Sequence, residues 1–409
     1  MSFDTTANLT KDIAREAAEA YLASKAMLNV RGANVQIAAA HNRKIILQSL
    51  RTLKTAERSD LADITGLTTP AIFKIVRELL DEGLVISPKT RRGAKGQPAA
   101  VLAINPDAAF AVGISLEQDH TLLMVMDFAG DVRGRRRLPG TRPGAAPPQG
   151  FYAGHMARLL DDHAIDLAKV AGIGIATGDA RTFPALADIG STSGARFHFA
   201  GREFAGLAGR PLYVEDRAIA AAHAEALLSQ SSASEPFFYL HLSDHLGSAL
   251  VVDGHVMRGN LNRRNAPAAL PQLNPFRSSR TDLGKRLGET ISLPAFLQFL
   301  ADRGQAMSTL DDIDLTDNSV NDTVDEWIGV VADLLYVPLL SMFCCLNLGS
   351  ILIGGPFPRE IITRLCLGLN TRLSLNLGLN WSEMAVKPTT LGGLAPALGA
   401  ALLAFDDKW

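Results

Sequence analysis

Over the first quarter of the chain, apolar residues recur at helical spacing in three close runs: NRKIILQSLRTLK from Asn42, then SDLADITG, then TTPAIFKIVRELLDEG. Each run closes on a short polar or glycine-bearing break of the kind that ends a helix. Ser59 is the expected N-cap of the second helix and Thr68 or Thr69 that of the third, with Pro70 in the first turn, where its missing N–H costs little. Gly66 falls at the corner between them, where a left-handed backbone suits glycine. After Gly83, LVISPKTRRGAKGQPAAVLAIN reads as two short strands around a basic loop. The segment is therefore a helix-turn-helix with a β wing. Ahead of it, residues 11–28 set Ile13, Ala17, Ala20, Tyr21, Ala23 and Leu28 at roughly helical spacing, which predicts a leading helix.

From about Ala108 the pattern changes to alternating strands and helices: FAVGISLE, TLLMVMDFAG, a break, the helix GFYAGHMARLLDDHAI, then VAGIGIAT, PLYVED, the helix RAIAAAHAEALLS, FFYLHLS, GSALVVDG and SILIGGPFPREIITRL. This is an α/β body. Two stretches interrupt it, TRPGAAPPQG at 141–150 and a long polar excursion at 258–280. With 409 residues, two or three folding units are expected. The divisions read as an N-terminal extension at 1–30, a winged helix-turn-helix at 31–106 and the body at 107–409.

Charge sharpens this division. Residues 1–106 carry 15 Lys and Arg against 10 Asp and Glu, leaving 25 against 32 for the remainder, so a basic front end joins an acidic body. The near-neutral total of -2 conceals the asymmetry. In the third helix, Ile72, Ile75, Val76 and Leu79 are spaced to bury together, which leaves Thr69, Pro70, Phe73, Lys74 and Arg77 on other faces. In a DNA major groove, Lys74 reaches a guanine edge or a phosphate and Phe73 packs on a thymine methyl. In the wing, Lys89, Arg91, Arg92 and Lys95, followed by Gln97, suit a narrow, electronegative minor groove. The competing reading is a helical protein-interaction module with a solvated basic hairpin, whose partner binding would be insensitive to salt.

Cys344, Cys345 and Cys366 form no CxxC pair and suit a reducing compartment, where they read as small buried hydrophobes. No signal peptide is apparent, and no stretch of about 18 uncharged apolar residues runs unbroken. The expectation is a cytoplasmic protein without a membrane partner. His120, His223, His241 and His245 show no metal-ligand spacing and read as core or surface histidines.

Seven strings in order resemble the ROK family of bacterial transcriptional repressors and sugar kinases, in its winged-helix branch. They are GLTTPAIFKIVRELLDEGLV, GQPAAVLAINP, VGISLEQDHTLLMVMDFAGDV, PLYVEDRAIAAAHAE, LVVDGHVMRG, ILIGGPFP and LGGLAPALGAALLA. The resemblance spans about residues 30–405 and implies two actin-like (ribonuclease H-like) α/β lobes, a sugar cleft between them and a homodimer or homotetramer. A dimeric winged helix reads an inverted repeat in double-stranded DNA.

Measured against the family's kinases, both phosphate loops are altered. Ser115 stands at the Asp and Glu117 at the first Gly of the Asp-x-Gly-x-Thr loop. Ser243, Asp244 and His245 replace Gly, Thr and Gly of the second loop, and only Gly247 is kept. Two added carboxylates repel phosphate, so no kinase activity is expected. Gly354 and Gly355 match nucleotide-proximal glycines, although a turn after a buried strand needs glycine equally. On the sugar side Asp216 matches the family's sugar-binding Asp, the catalytic base in kinases, and Glu215 replaces its Asn neighbour. Asp216 also stands where a helix N-cap is needed. Glu225 matches a helix-terminal acid, and Gly172, Gly174 and Gly178 match a sugar-side turn beside Thr177 and Asp179. Arg263 and Ala266 replace the family's Glu and His contacts. The ligand residues expected from the resemblance are thus Thr177, Asp179, Glu215, Asp216, Glu225 and Arg263. The zinc pattern lacks its cysteines, so neither metal nor cofactor is expected.

The reading that results is a DNA-binding transcriptional regulator of repressor type, controlled by a carbohydrate-related molecule. Its competitors are a sugar kinase with a regulatory winged helix, a ligand-independent regulator and a protein-binding scaffold.

Overall fold

The computed structural model describes residues 33–90, 100–117, 119–139, 150–178, 196–197, 210–229, 235–257, 268, 270–272, 285–377 and 385–409. The leading helix expected at 11–28 lies outside them.

Helices α1 (Ala33–Leu53), α2 (Arg58–Thr65) and α3 (Thr69–Asp81) are followed by strands β1 (Val85–Thr90) and β2 (Ala100–Ile104), paired antiparallel as a wing. Gly66 takes φ 66° at the α2–α3 corner, and its N–H closes the helix on the Ala62 carbonyl at 3.0 Å. Thr68 is the N-cap of α3. Ser59 does not cap α2: Glu57 does, and its backbone N–H donates to Asp60 Oδ2 at 2.8 Å, the reciprocal half of a capping box. A capping box needs the acid three residues into the helix, and Asp60 occupies that position only if the helix starts at Arg58.

The first lobe is a six-stranded sheet of order β5-β4-β3-β6-β8-β7. Strands β3 (Phe110–Leu116), β4 (His120–Asp127) and β5 (Val132–Pro139) form an antiparallel meander. Helix α4 (Phe151–Asp162) leads to β6 (Val170–Thr177), which pairs parallel with β3 and with β8 (Leu212–Asp216); β7 (Arg196–Phe197) is the edge. Helix α5 (Arg217–Leu228) then crosses to the second lobe, a five-stranded sheet of order β11-β10-β9-β12-β13. Here β9 (Phe237–Leu242), β10 (Leu246–Val252) and β11 (His255–Met257) form the meander. Helices α6 (Leu287–Thr290), α7 (Leu293–Ala301) and α8 (Asn318–Leu346) precede β12 (Ser350–Gly354), α9 (Arg359–Leu377) and β13 (Ala385–Pro388). The repeated plan, an antiparallel meander extended by parallel strands and crossover helices, is that of two actin-like lobes.

The last helix, α10 (Ala395–Lys408), returns to the first lobe. Its small residues let it lie directly on β3 and β6: a Cβ on Gly113 would sit 1.9 Å from the Ala397 carbonyl oxygen, and one on Gly174 1.9 Å from that of Ala400. Gly172 and Gly174 therefore stand inside a strand and serve helix packing, not the sugar-side turn expected of them. At Gly355 a Cβ would meet the Leu242 carbonyl oxygen at 1.8 Å, which accounts for that glycine by packing.

Three further points concern elements. Strand β5, VRGRRRLP, was not anticipated; it is an edge strand in which Arg133, Arg135 and Arg137 are exposed while Gly134 and Leu138 face inward. Helix α8 is 29 residues long and by length and composition is apolar enough to cross a membrane, although Asp333 interrupts its apolar run. It buries Val324, Trp327, Ile328, Val331, Leu335 and Leu339 in the second lobe's core. Near its end Cys344 and Cys345 are exposed, and of the three thiols only Cys366 is buried, its pKa pushed by burial to about 12.

Candidate DNA-binding face and interlobe cleft

Ile72, Ile75, Val76 and Leu79 pack α3 into the core, and Thr69, Pro70, Phe73, Lys74 and Arg77 together form its exposed face. Phe73 is 54% exposed, a large cost in water for a phenyl ring without a partner. A residue that sequence reasoning missed stands over it: the Arg58 guanidinium lies 4.9 Å from the ring centroid. The cation–π contact fixes a positive charge beside Phe73. Its signal lay in the first position of α2, which a helix-turn-helix corner brings against the third helix. Arg77 is partly drawn to Asp81 at 3.9 Å, one turn on. Lys89 lies on β1, and Arg91, Arg92, Lys95 and Gln97 lie outside the described residues.

The winged helix is seated on the first lobe through one continuous apolar cluster that includes Ile46, Leu50, Leu102, Phe128 and Phe405. Arg51 is buried in that contact, donates from Nε to the Phe128 carbonyl at 3.0 Å and lies 4.8 Å from the Phe128 ring centroid. Burial lowers its pKa to about 10. Beside it, Lys44 Nζ lies 2.8 Å from Asp406 Oδ1, and His223 Nε2 on α5 lies 2.9 Å from Asp406 Oδ2. Burial opposes ionisation of Asp406, but His223 and Lys44 outweigh it and hold the carboxyl well below its usual range.

In the cleft, Thr177 and Asp216 are register partners at the C-terminal ends of the parallel strands β6 and β8, with Glu215 one residue earlier. All three are buried, and Thr177 Oγ1 has no hydrogen-bond partner among the described residues. Asp216 caps α5, accepting from Ala218 N at 2.9 Å and Ile219 N at 3.4 Å. Burial raises its pKa to about 6. Glu225 is placed elsewhere: its carboxylate accepts from Thr390 Oγ1 at 2.8 Å and Leu391 N at 2.9 Å, tying α5 to the approach to α10. That engagement of both oxygens is the physical reason it serves packing here. Asp179 and Arg263 lie outside the described residues.

The altered phosphate loops meet at a residue the sequence pass did not single out. Arg217, 3% exposed, donates to Glu117 on one side and to Asp244 on the other. Ser115 Oγ donates to Glu117 Oε1 at 2.6 Å, and His245 Nδ1 lies 3.0 Å from Asp244 Oδ2. Burial opposes ionisation of Asp244, but its hydrogen bond with His245 and the Arg217 charge pull its pKa well below the carboxylate range. Burial also opposes the charge on Arg217, yet the two carboxylates raise its pKa. A guanidinium and two carboxylates thus bridge the β3–β4 hairpin of one lobe and the β9–β10 hairpin of the other.

The architecture defines a class: a winged helix carried on a two-lobed, actin-like α/β body. No family model matches the chain. It is 24% identical over 383 residues to an uncharacterised protein of Sinorhizobium fredii, covering 89% of this chain and 90% of that one. It is 21% identical over 225 residues to the DNA-binding transcriptional repressor Mlc of Escherichia coli, covering 53% of this chain and 54% of the repressor. The fold superposes on a ROK family transcriptional regulator, a homologue of Escherichia coli Mlc, with TM-score 0.60 and 19% identity over 91% of this chain and 96% of that structure. With its ordered motifs, this chain resembles the ROK family in sequence and shares the fold of its regulator.

Proposed function

We propose that the protein is a DNA-binding transcriptional repressor controlled by a carbohydrate-related ligand, and that it does not transfer phosphate. The observation that carries this reading is the outer face of α3, where Thr69, Pro70, Phe73, Lys74 and Arg77 stand exposed with Arg58 beside them. A helix presenting its N-terminal residues with an aromatic ring and cations suits base edges and phosphates of a major groove. The similarity to a DNA-binding repressor supports the same reading.

Loss of phosphoryl transfer follows from the cleft. A kinase needs donors and a metal-held phosphate between its loops. Here Glu117 and Asp244 stand at those loops and are already paired with Arg217. A triphosphate would have to break two buried ion pairs and meet two carboxylates. Asp216 keeps the family's base position, and with Thr177 and Glu215 it offers hydroxyl-binding oxygens.

Control is transmitted by α5, whose N-terminus carries Asp216 and Arg217 at the cleft and whose next turns carry His223 to Asp406 and Lys44 at the winged helix. Ligand binding that differs between lobe arrangements shifts the operator-competent population. The test is selection of bound duplexes from a random pool with full-length protein, alongside a Lys74→Ala, Arg92→Ala variant. Enrichment of an inverted repeat, lost in the variant, is the expected result. Absence of any enrichment at low salt, with and without a sugar panel, overturns the regulator reading and favours a protein-binding scaffold.

A further inference from the structure

A second cleft of about 400 Å³ opens between the lobes, lined by the β3–β4 hairpin and β5 on one side and by β9, Leu293 and Gly393 on the other. Its volume is within the range of small-molecule sites. His241 lines it from β9 at 2% exposure, and its Nε2 has no hydrogen-bond partner among the described residues. Burying such a nitrogen without a partner is unfavourable. Burial holds the ring neutral, with a pKa near 4. The Tyr239 hydroxyl lies 3.5 Å from Nδ1; in the tautomer in which that hydroxyl donates, the ring proton is on Nε2.

The polar wall is divided by charge. Arg137 is engaged, at 2.6 Å from Asp311 and 3.6 Å from Asp119. Arg135, its neighbour but one on the same strand, is exposed and forms no ion pair among the described residues. Asp119 and Asp311 supply acceptor oxygens around the same space. One guanidinium unpaired among the described residues and one imidazole N–H suit a single carboxylate, and the carboxylates suit the hydroxyls that donate to them. A phosphate ester, with its second negative charge, meets those same carboxylates unfavourably.

We propose that this interlobe cleft binds a monosaccharide-sized hydroxy acid, of the aldonate or uronate class, whose carboxylate is held by Arg135 and His241. The site goes beyond the regulator reading, since it is separate from Thr177, Glu215 and Asp216, and because Leu122 and Arg135 belong to one lobe and His241 to the other, an occupant bridges the two. Binding is measured without DNA, so failure here leaves DNA recognition standing and failure of DNA recognition leaves this site standing.

The experiment is calorimetric titration of the full-length protein with D-gluconate, D-glucuronate and D-galacturonate, beside D-glucose, glucose 6-phosphate and Mg·ATP. At least one acid is expected to bind below about 1 mM and about tenfold tighter than glucose or either phosphate compound. Arg135→Ala should weaken that acid about tenfold and Arg135→Lys should recover part of the loss, since the charge returns without the planar fork. His241→Phe should weaken it comparably. Arg135 is exposed, so its variants report on the ligand rather than on folding. No acid binding below about 1 mM, equal or tighter binding of glucose or the phosphates, or an Arg135→Ala protein that binds as well as the parent overturns the proposal.

Discussion

Two charge clusters sit on one helix and differ in kind. At the start of α5, Arg217 is sealed between Glu117 and Asp244, all three nearly out of contact with water. Two turns on, His223 meets Asp406 and Lys44 where side chains are 17–33% exposed. The first cluster joins lobe to lobe, and the second joins body to winged helix. A buried triad costs heavily to break, because each orphaned charge loses both its partner and its water. A partly wetted one can be broken and remade at modest cost. The same helix therefore carries a buried bolt at its cleft end and an adjustable contact at its winged-helix end.

The largest effect should come from the bolt. Arg217→Ala leaves Glu117 and Asp244 buried and adjacent without their cation, and should destabilise the protein by about 3–5 kcal/mol, read by urea denaturation at pH 7.5. Combining Arg217→Met with Glu117→Gln and Asp244→Asn should recover most of that loss. If the single variant is as stable as the parent, the triad is not the bolt described. Because the Asp244 carboxyl is depressed, the triad's contribution is present above the ordinary carboxylate pKa and fades as pH falls below it.

The residue before the bolt sharpens the contrast. Asp216 is equally buried, but its pKa is raised to about 6, so its ionised form is a burden to the fold. The sign is opposite to that of Asp244: relative stability is full below the ordinary value of 3.8 and is lost as pH rises through about 6. Asp216→Asn keeps an N-cap oxygen and should stabilise the protein by about 2 kcal/mol at pH 7.5, an advantage that vanishes near pH 4. Thermal melts across that range check it. A gain independent of pH would mean that the burden is packing and not charge.

How much of this was legible follows from the range of each interaction. The buried face of α3, the wing strands and the alternating body are local patterns, and the structure has them as the spacing predicts. Strand β5 was missed because VRGRRRLP alternates arginine with inward Gly134 and Leu138, a half-buried edge whose polarity reads as loop. Glu117 and Asp244 were recognisable as intruders in the phosphate loops, but the residue that neutralises them is 100 positions from one and 27 from the other. No periodicity carries a pairing of that length. The partners of Glu225 were hidden for the same reason, since Thr390 and Leu391 reach it from 165 and 166 positions away. Arg58 over Phe73 was hidden by the turn between their helices.

The smaller effect belongs to the adjustable contact. Asp406→Asn removes the acceptor shared by Lys44 and His223, both of which keep access to water. The loss should be about 1 kcal/mol at pH 7.5, well below that of Arg217→Ala. Asp406 is depressed like Asp244, so parent and variant should converge as pH falls below the ordinary carboxylate value. The informative readout is not stability. If α5 relays the cleft to the winged helix through this contact, Asp406→Asn should leave operator affinity without ligand within about threefold and reduce the change in affinity that ligand produces. Linkage makes that reduction reciprocal: operator DNA should then also change ligand affinity less in the variant than in the parent. Titrating each ligand in the presence and absence of the other closes the cycle. A variant that loses operator affinity but keeps the full ligand response would place the relay elsewhere, most directly in the apolar seat around Arg51, Phe128 and Phe405.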